Sequence, residues 1–231
     1  MKLLHLYDDL LDLYGDSGNF SAVTRRLAAS GLNPQTECKT VGDEIDFTQY
    51  AFVYISPGLP ANLRVAAADF YGRKDNVEAA AQGGTVFFAV GNAAALFAKS
   101  FTFSEGDSVS GISMFDESYT DTGVITIADV VADLRSDACR VCGFVNTTLK
   151  IERNHGDCLF DVLSPEGMKT DGAVRGNVVT TQLLGPLLIR NPELLDRVAA
   201  MAAGTPLEGD YDDALEREAH RRVMQELTRT L

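Results

Sequence analysis

Basic residues are scarce in this chain of 231 residues: 20 lysines and arginines stand against 33 aspartates and glutamates, so the formal net charge is −13. Such a surplus of acidic groups repels phosphate backbones and anionic lipid headgroups. Long hydrophobic runs are also missing, since the longest, around residues 86–98, is interrupted at Gly91 and Asn92 and is too short to span a bilayer. The sequence therefore predicts neither nucleic-acid binding nor membrane insertion.

Cysteine is rare as well, with four in the chain, which is too few for a disulfide scaffold. Asp8 and Asp9 interrupt the N-terminal segment before the apolar core of a signal peptide could form. We therefore expect a cytoplasmic protein. Hydrophobic residues make up 45% of the chain, enough for a sizeable core, and a single domain over residues 1–231 is expected.

Strand and helix patterns alternate through the first hundred residues. Apolar strands are predicted at 3–7, 51–58 and 86–90, and residues 61–81 have helical periodicity. Uninterrupted apolar strands are typical of a parallel sheet that is covered on both faces. This alternation predicts an α/β fold of three layers, doubly wound around a mostly parallel sheet, with any site at the C-terminal ends of the strands.

The second half of the chain has a different pattern. Short β-like pieces joined by turns predict antiparallel hairpins between about residues 115 and 165. Helices are expected near 192–203 and 211–230. The last of these begins among acidic residues and ends near arginines, which complements the helix dipole.

The stretch TVFFAVGNAAALF, residues 85–97, combines a strand, a sharp turn and the small-residue start of a helix. Many α/β enzymes present a nucleophile on such an elbow, beside a helix N-terminus. Here the turn offers Gly91 and Asn92 where that chemistry would need a cysteine or a serine. The pattern indicates an active-site framework without its nucleophile.

Two further segments, LYGDSGN at 13–19 and GPLLIRNPEL at 185–194, occur with this elbow and with YISPG at 54–58 in a particular order. In that order they resemble the cobyric acid synthase-like class I glutamine amidotransferases. The resemblance covers nearly the whole chain, and within the class it is closest to the glutamine amidotransferase subunits of lipid II isoglutaminyl synthase.

The resemblance implies a flavodoxin-like form of the α/β fold and a defined chemistry without a cofactor. In the family, a cysteine at the elbow attacks the side-chain amide of glutamine, and a histidine from a later loop acts as base and acid. Backbone N–H groups at the elbow and at a glycine turn hold the oxyanion. The resemblance further implies a Mur ligase-like ATP-dependent partner, which uses the ammonia to amidate a cell-wall precursor.

The chain departs from the family pattern where the chemistry lies. Gly91 stands at the nucleophile position and Leu184 at the histidine position, and neither can react or transfer a proton. Pro57 interrupts the glycine turn and has no N–H to donate. The segment GFVNT at 143–147 lacks the carboxylate and imidazole that the family carries there. Because a nucleophile and its base act as a unit, losing both predicts an inactive, degenerate amidotransferase.

No catalytic residue is therefore expected in this chain. Gly58, Asn92 and Gln182 are predicted to line a vestigial pocket that could hold glutamine or another small molecule. An alternative is a working enzyme that uses an unconventional nucleophile in the same pocket. A third hypothesis is a sensor that binds an amino acid without turnover.

Four residues have a spacing similar to that of zinc ligands, namely Cys139, Cys142, His155 and Cys158. The segment around the first two is predicted to be a strand, in which positions three apart point to opposite faces. A structural role is therefore favoured and no metal is expected, while zinc or a relocated Cys–His pair stays open. Structural roles are also predicted for the remaining thiol and imidazoles: Cys38 as a small buried thiol, His5 as a partly buried histidine and His220 as a solvated one.

Overall fold

A computed structural model describes residues 1–153, 155–208 and 211–229 of the chain. In these ranges eleven strands form one sheet. The strands are β1 (Lys2–Leu6), β2 (Gln35–Lys39), β3 (Phe52–Ile55), β4 (Val86–Val90), β5 (Ser100–Thr102), β6 (Ser108–Ser110), β7 (Glu117–Leu134), β8 (Arg140–Arg153), β9 (Cys158–Ser164), β10 (Thr170–Arg175) and β11 (Val178–Thr181). The helices are α1 (Gly18–Ala29), α2 (Pro60–Tyr71), α3 (Lys74–Gln82), α4 (Leu187–Arg190), α5 (Pro192–Ala203) and α6 (Ala214–Thr228).

The sheet has the order β2-β1-β3-β4-β11-β10-β9-β7-β5-β6, with β8 paired to β7. Its first five strands are all parallel to one another, so the predicted α/β fold with a parallel central sheet is confirmed. Side chains alternate across this part: Phe52 and Tyr54 of β3 join one hydrophobic cluster, whereas Val53 and Ile55 join the other. Helices α1 and α5 pack in the first cluster, and α2 and α3 pack in the second.

The helix predicted over residues 61–81 is two helices, α2 and α3, because the chain turns at Gly72 and Arg73. The guanidinium of Arg73 donates from Nε to Asp69 Oδ2 (2.7 Å) and from Nη2 to the Asp43 carbonyl (2.8 Å), which holds the turn in place. The prediction of a helix at 192–203 is confirmed by α5. The last helix, α6, is shorter than the predicted 211–230, and residue 230 lies outside the described part of the chain.

The predicted antiparallel hairpins are confirmed in the second half, but β7 and β8 are much longer than the short pieces expected. This hairpin lies beside the loop that follows β11. Phe144 of β8 and Leu184 of that loop exchange both backbone hydrogen bonds, at 3.1 and 2.8 Å. The pairing brings the hairpin over the C-terminal ends of the parallel strands, where the candidate site lies. None of the helices in the described ranges is both long and apolar enough to cross a bilayer.

Candidate active site at the elbow after β4

The chain leaves β4 through Gly91, whose φ of +60° lies in the left-handed region. A short 3-10 helix, Gly91–Phe97, follows in place of the longer α-helix that the small residues predicted. A Cβ built on Gly91 would lie 2.8 Å from the Cβ of Pro57 and 3.6 Å from Leu184 Cδ2. Two positions that the sequence analysis identified as degenerate, Gly91 and Leu184, are therefore neighbours, and Pro57 occupies the space that a side chain at the elbow would need.

The glycine turn after β3, which contains Pro57 and Gly58, is hydrogen-bonded to the Asn92 side chain of the elbow. The backbone N–H of Gly58 donates to Asn92 Oδ1 (3.0 Å), and Asn92 Nδ2 donates back to the Gly58 carbonyl (2.7 Å). Gly58 is buried and packs closely against the N-terminal loop. A Cβ built on Gly58 would lie only 2.2 Å from Leu11 Cδ2, so a larger residue would not fit there. The backbone N–H of Leu13 donates to the Pro57 carbonyl (3.0 Å). The turn is thus fixed from both sides, and its Gly58 N–H is already paired within the protein.

Gln182 lies below the elbow and connects it to a buried carboxylate. Its Nε2 donates to the Gly91 carbonyl (2.7 Å), and its backbone N–H donates to Asp171 Oδ2 (3.1 Å). Asp171 is fully buried and also accepts from the Thr181 hydroxyl (2.5 Å). Burial raises the pKa of Asp171, and the nearby Arg153 partly offsets that effect. Gln182 therefore acts here as a structural link between the elbow and a buried charged network.

That network is built around Arg153 at the end of β8. Its guanidinium pairs with Glu117 (3.4 Å), and both side chains are about 95% buried, with exposures of 6% and 5%. It also donates from Nη1 to the Gly172 carbonyl (3.0 Å). Burial alone would lower the pKa of Arg153, but the carboxylates of Asp171 and Glu117 raise it. One cation thus compensates two buried acidic side chains behind the elbow.

The two segments that carry the resemblance most strongly, 13–19 and 185–194, are in contact. Asn19 Oδ1 accepts from the Leu188 backbone N–H (2.7 Å), and Asn19 Nδ2 donates to the Tyr54 hydroxyl (2.9 Å) and to Asp16 Oδ1 (3.1 Å). The Tyr54 hydroxyl donates to Asp16. Burial raises the pKa of Asp16 to about 6, although the hydrogen bonds from Tyr54 and Asn19 act in the opposite direction. These polar residues hold the framework together behind the elbow.

A cavity of about 350 Å³ opens above the elbow. The predicted pocket residues Gly58, Asn92 and Gln182 all line it, together with Gly91 and Leu184. Its lining contains a single charged residue, Asp121, and no cysteine, and none of the histidine side chains that the structure describes reaches it. Among the side chains that the structure describes, the cavity therefore contains no thiol and no imidazole that could attack an amide.

One wall of this cavity was not predicted from the sequence. It comes from the β7–β8 hairpin, which contributes Ile125, Asn146 and Thr148 among others. The carboxamide of Asn146 makes no hydrogen bond within the described part of the chain. The only sequence signal for this wall is the run VITI at 124–127, in which Val124, Ile125 and Ile127 are 70%, 68% and 70% exposed. An exposed apolar run on a strand is typical of a surface that binds a ligand or another protein.

The candidate zinc cluster is described only in part, because the side chain of His155 lies outside the described residues. Cys139, Cys142 and Cys158 are buried, and none of the three forms a disulfide bond. Among the described residues no group of three or more metal-ligating side chains is brought together. Burial raises the pKa of Cys139 and of Cys142. That direction is opposite to the one that a reactive thiolate requires.

The structure also shows the surroundings of Cys38, His5 and His220, whose roles were predicted from the sequence. Cys38 is exposed on β2 and is not the buried thiol that was predicted, while partial desolvation and a hydrogen bond with Asp8 raise its pKa to about 11. His5 is 95% buried and pairs through Nε2 with Ser56 Oγ (3.0 Å), which confirms a satisfied interior histidine. His220 contacts the Arg190 carbonyl through Nδ1 (2.9 Å), so it is not simply solvated.

The sequence matches no protein-family model. Over 233 aligned residues the chain is 21% identical to the lipid II isoglutaminyl synthase (glutamine-hydrolyzing) subunit GatD of Streptococcus pneumoniae, an alignment that covers 98% of this chain and 88% of that protein. A structure of PurLQS from Thermotoga maritima matches with a TM-score of 0.58 at 10% identity, over 88% of this chain and 95% of that one.

A glutamine amidotransferase from Thermotoga maritima has a TM-score of 0.52 at 13% identity, over 94% of this chain and 85% of its own. Another glutamine amidotransferase structure has a TM-score of 0.55 at 12% identity, over 87% and 98%. Identities this low show the fold alone. The chain has the α/β fold of the glutamine amidotransferases, with antiparallel strands added to a parallel central sheet.

Proposed function

We propose that this chain is a glutamine amidotransferase-like subunit of the cobyric acid synthase-like class that has lost glutamine hydrolysis. It is a single-domain pseudoenzyme that acts in the cytoplasm of a bacterium and pairs with a Mur ligase-like protein working on cell-wall precursor. The weak similarity to GatD and the shared fold support the amidotransferase framework. The helices associated with both hydrophobic clusters support its doubly wound, three-layer form.

The observation that carries this proposal is the composition of the elbow. Gly91, Leu184 and Pro57 meet at the position where a nucleophile, a base and an oxyanion donor would be needed. A glycine, a leucine and a proline supply none of these functions. A single missing oxyanion donor costs a factor of about 100 to 1000 in rate, and loss of the nucleophile and base together costs far more. A site with this composition does not support hydrolysis, and a role in assembly is proposed instead.

The hypothesis of an unconventional nucleophile has no observation in its favour among the described residues. None of the four cysteines lines the elbow cavity. Thr147 and Thr148 line it, but a hydroxyl needs an adjacent base to become a nucleophile. Among the described residues, no hydrogen bond joins either hydroxyl to a carboxylate or an imidazole. We therefore do not assign an enzymatic reaction to this cavity.

The partnership is tested by co-expressing the chain with a Mur ligase-like protein from the same organism. We expect the two proteins to elute together in size-exclusion chromatography, with a mass by light scattering equal to a hetero-oligomer. A Mur ligase that has no amidotransferase subunit is the control and should elute alone. Separate elution of the chain and its expected partner would contradict the proposed assembly.

A further inference from the structure

The side chain of Asn92 forms hydrogen bonds with both backbone polar groups of one residue in the glycine turn, Gly58. It accepts from the Gly58 N–H at 3.0 Å and donates to the Gly58 carbonyl at 2.7 Å. Both hydrogen bonds run between the same two residues, so they hold the carboxamide in one orientation. Gly58 is buried, and its preceding residue, Pro57, has no N–H. Gly58 therefore supplies the first backbone N–H of the turn after Pro57, and this N–H donates to Asn92.

A carboxamide is also the reacting group of glutamine. We propose that the Asn92 side chain is an internal substitute for an amide ligand, which closes the floor of the elbow cavity to glutamine and to oxyanions. The inference rests on the proposed function, because the oxyanion role of the turn that contains Gly58 comes from the resemblance to amidotransferases. It adds the specific residue that determines what this cavity excludes.

Asn146 lines the same cavity as Asn92 but does not form hydrogen bonds with Gly58. Both asparagines are partly buried and both line the same cavity. The Asn146 carboxamide has no hydrogen-bond partner within the described residues, whereas the Asn92 carboxamide uses both of its ends on Gly58. Asn146 therefore provides a matched control: the same residue type in the same cavity without the contact.

The test is the exchange of the Gly58 amide hydrogen, followed by NMR in the full chain. In Asn92→Ala the Gly58 N–H loses its acceptor, and we expect it to exchange about tenfold faster or more, the equivalent of one hydrogen bond. In Asn146→Ala its exchange should not change. Asn92→Asp retains an oxygen acceptor for the N–H, so its Gly58 exchange should stay close to that of the unmodified chain even if Asn92→Ala folds poorly.

L-Glutamine is then titrated into each protein while the Gly58 amide signal is followed. We expect the signal to shift in Asn92→Ala and to stay in place in the unmodified chain and in Asn146→Ala. The proposal is overturned by unchanged Gly58 exchange in Asn92→Ala, by an equal shift in all three proteins, or by no shift in Asn92→Ala. Amide exchange and the glutamine titration report on the Gly58 N–H and do not depend on glutamine hydrolysis. Ammonia release would therefore contradict the proposed function, but it would not decide whether Asn92 covers Gly58.

Discussion

Replacing Arg153 with methionine is expected to lower the free energy of unfolding by about 3–5 kcal/mol at neutral pH, the cost of breaking a buried ion pair from one side. The substitution leaves Glu117 and Asp171 buried without their cation, and it removes the hydrogen bond to the Gly172 carbonyl. Chemical denaturation of the two proteins, followed by fluorescence or circular dichroism, measures the difference.

The effect of this substitution should depend on pH. Burial raises the folded-state pKa of both Glu117 and Asp171. A raised carboxyl pKa favours folding below the unfolded-state pKa of about 4, and this contribution is lost as the pH rises through the folded-state value. Without Arg153 both pKa values rise further, so the deficit of Arg153→Met should shrink towards about pH 4.

A matched control is available on the same strand. Arg140 pairs with Asp133 at 2.7 Å, but the two side chains are 49% and 37% exposed. An exposed pair of this kind contributes about 1 kcal/mol or less. Arg140→Met should therefore have a small effect with little dependence on pH. Equal effects of the two substitutions would show that the buried network does not compensate its acids as described.

Replacing Asn191 with alanine is expected to cost about 3 kcal/mol or more, since each buried polar group left unpaired costs about 1–3 kcal/mol. Asn191 is 99% buried between α4 and α5. Its Oδ1 accepts from the Cys142 N–H (2.8 Å), and its Nδ2 donates to the carbonyls of Cys142 (2.8 Å) and Leu187 (2.7 Å). Thermal and chemical unfolding of the variant test this directly.

The control for this prediction is Asn33→Ala, because Asn33 is exposed on the surface. A surface substitution of this kind is expected to change the free energy of unfolding by about 0.5 kcal/mol or less. If Asn191→Ala were as mild as Asn33→Ala, the three hydrogen bonds of Asn191 would not be what holds β8 against the segment 185–194.

The sequence was most informative where apolar character is continuous. Strands β3 and β4 were predictable because their residues are buried on both faces of the sheet. The hairpin of β7 and β8 was predicted only in pieces, because its pattern changes along its length. Val124, Ile125 and Ile127 are exposed, whereas Val130, Ala132 and Val141 lie in the core. Similarly, the break at Gly72 depends on contacts of Arg73 with Asp69 and Asp43, which periodicity does not report.

In the candidate site, the chemistry of single residues was predictable from the sequence, whereas the contacts between them were not. That Gly91 and Leu184 cannot perform catalysis follows from their chemistry, and no structure is needed to state it. Their contact with Pro57 and the closure of Gly58 by Asn92 depend on distances between residues more than thirty positions apart. The link from Arg153 through Asp171 to Gln182 was not predictable for the same reason. A sequence indicates which groups are present, but their partners depend on the fold.

The most direct test of the proposed loss of function is ammonia release from L-glutamine by the purified chain at high protein concentration, alone and with its co-expressed Mur ligase-like partner. An amidotransferase with its cysteine and histidine intact serves as the positive control. We expect ammonia at the level of the protein-free blank in both samples, because Gly91 and Leu184 supply neither nucleophile nor base. Ammonia release that rises with protein concentration and saturates with glutamine would contradict the account.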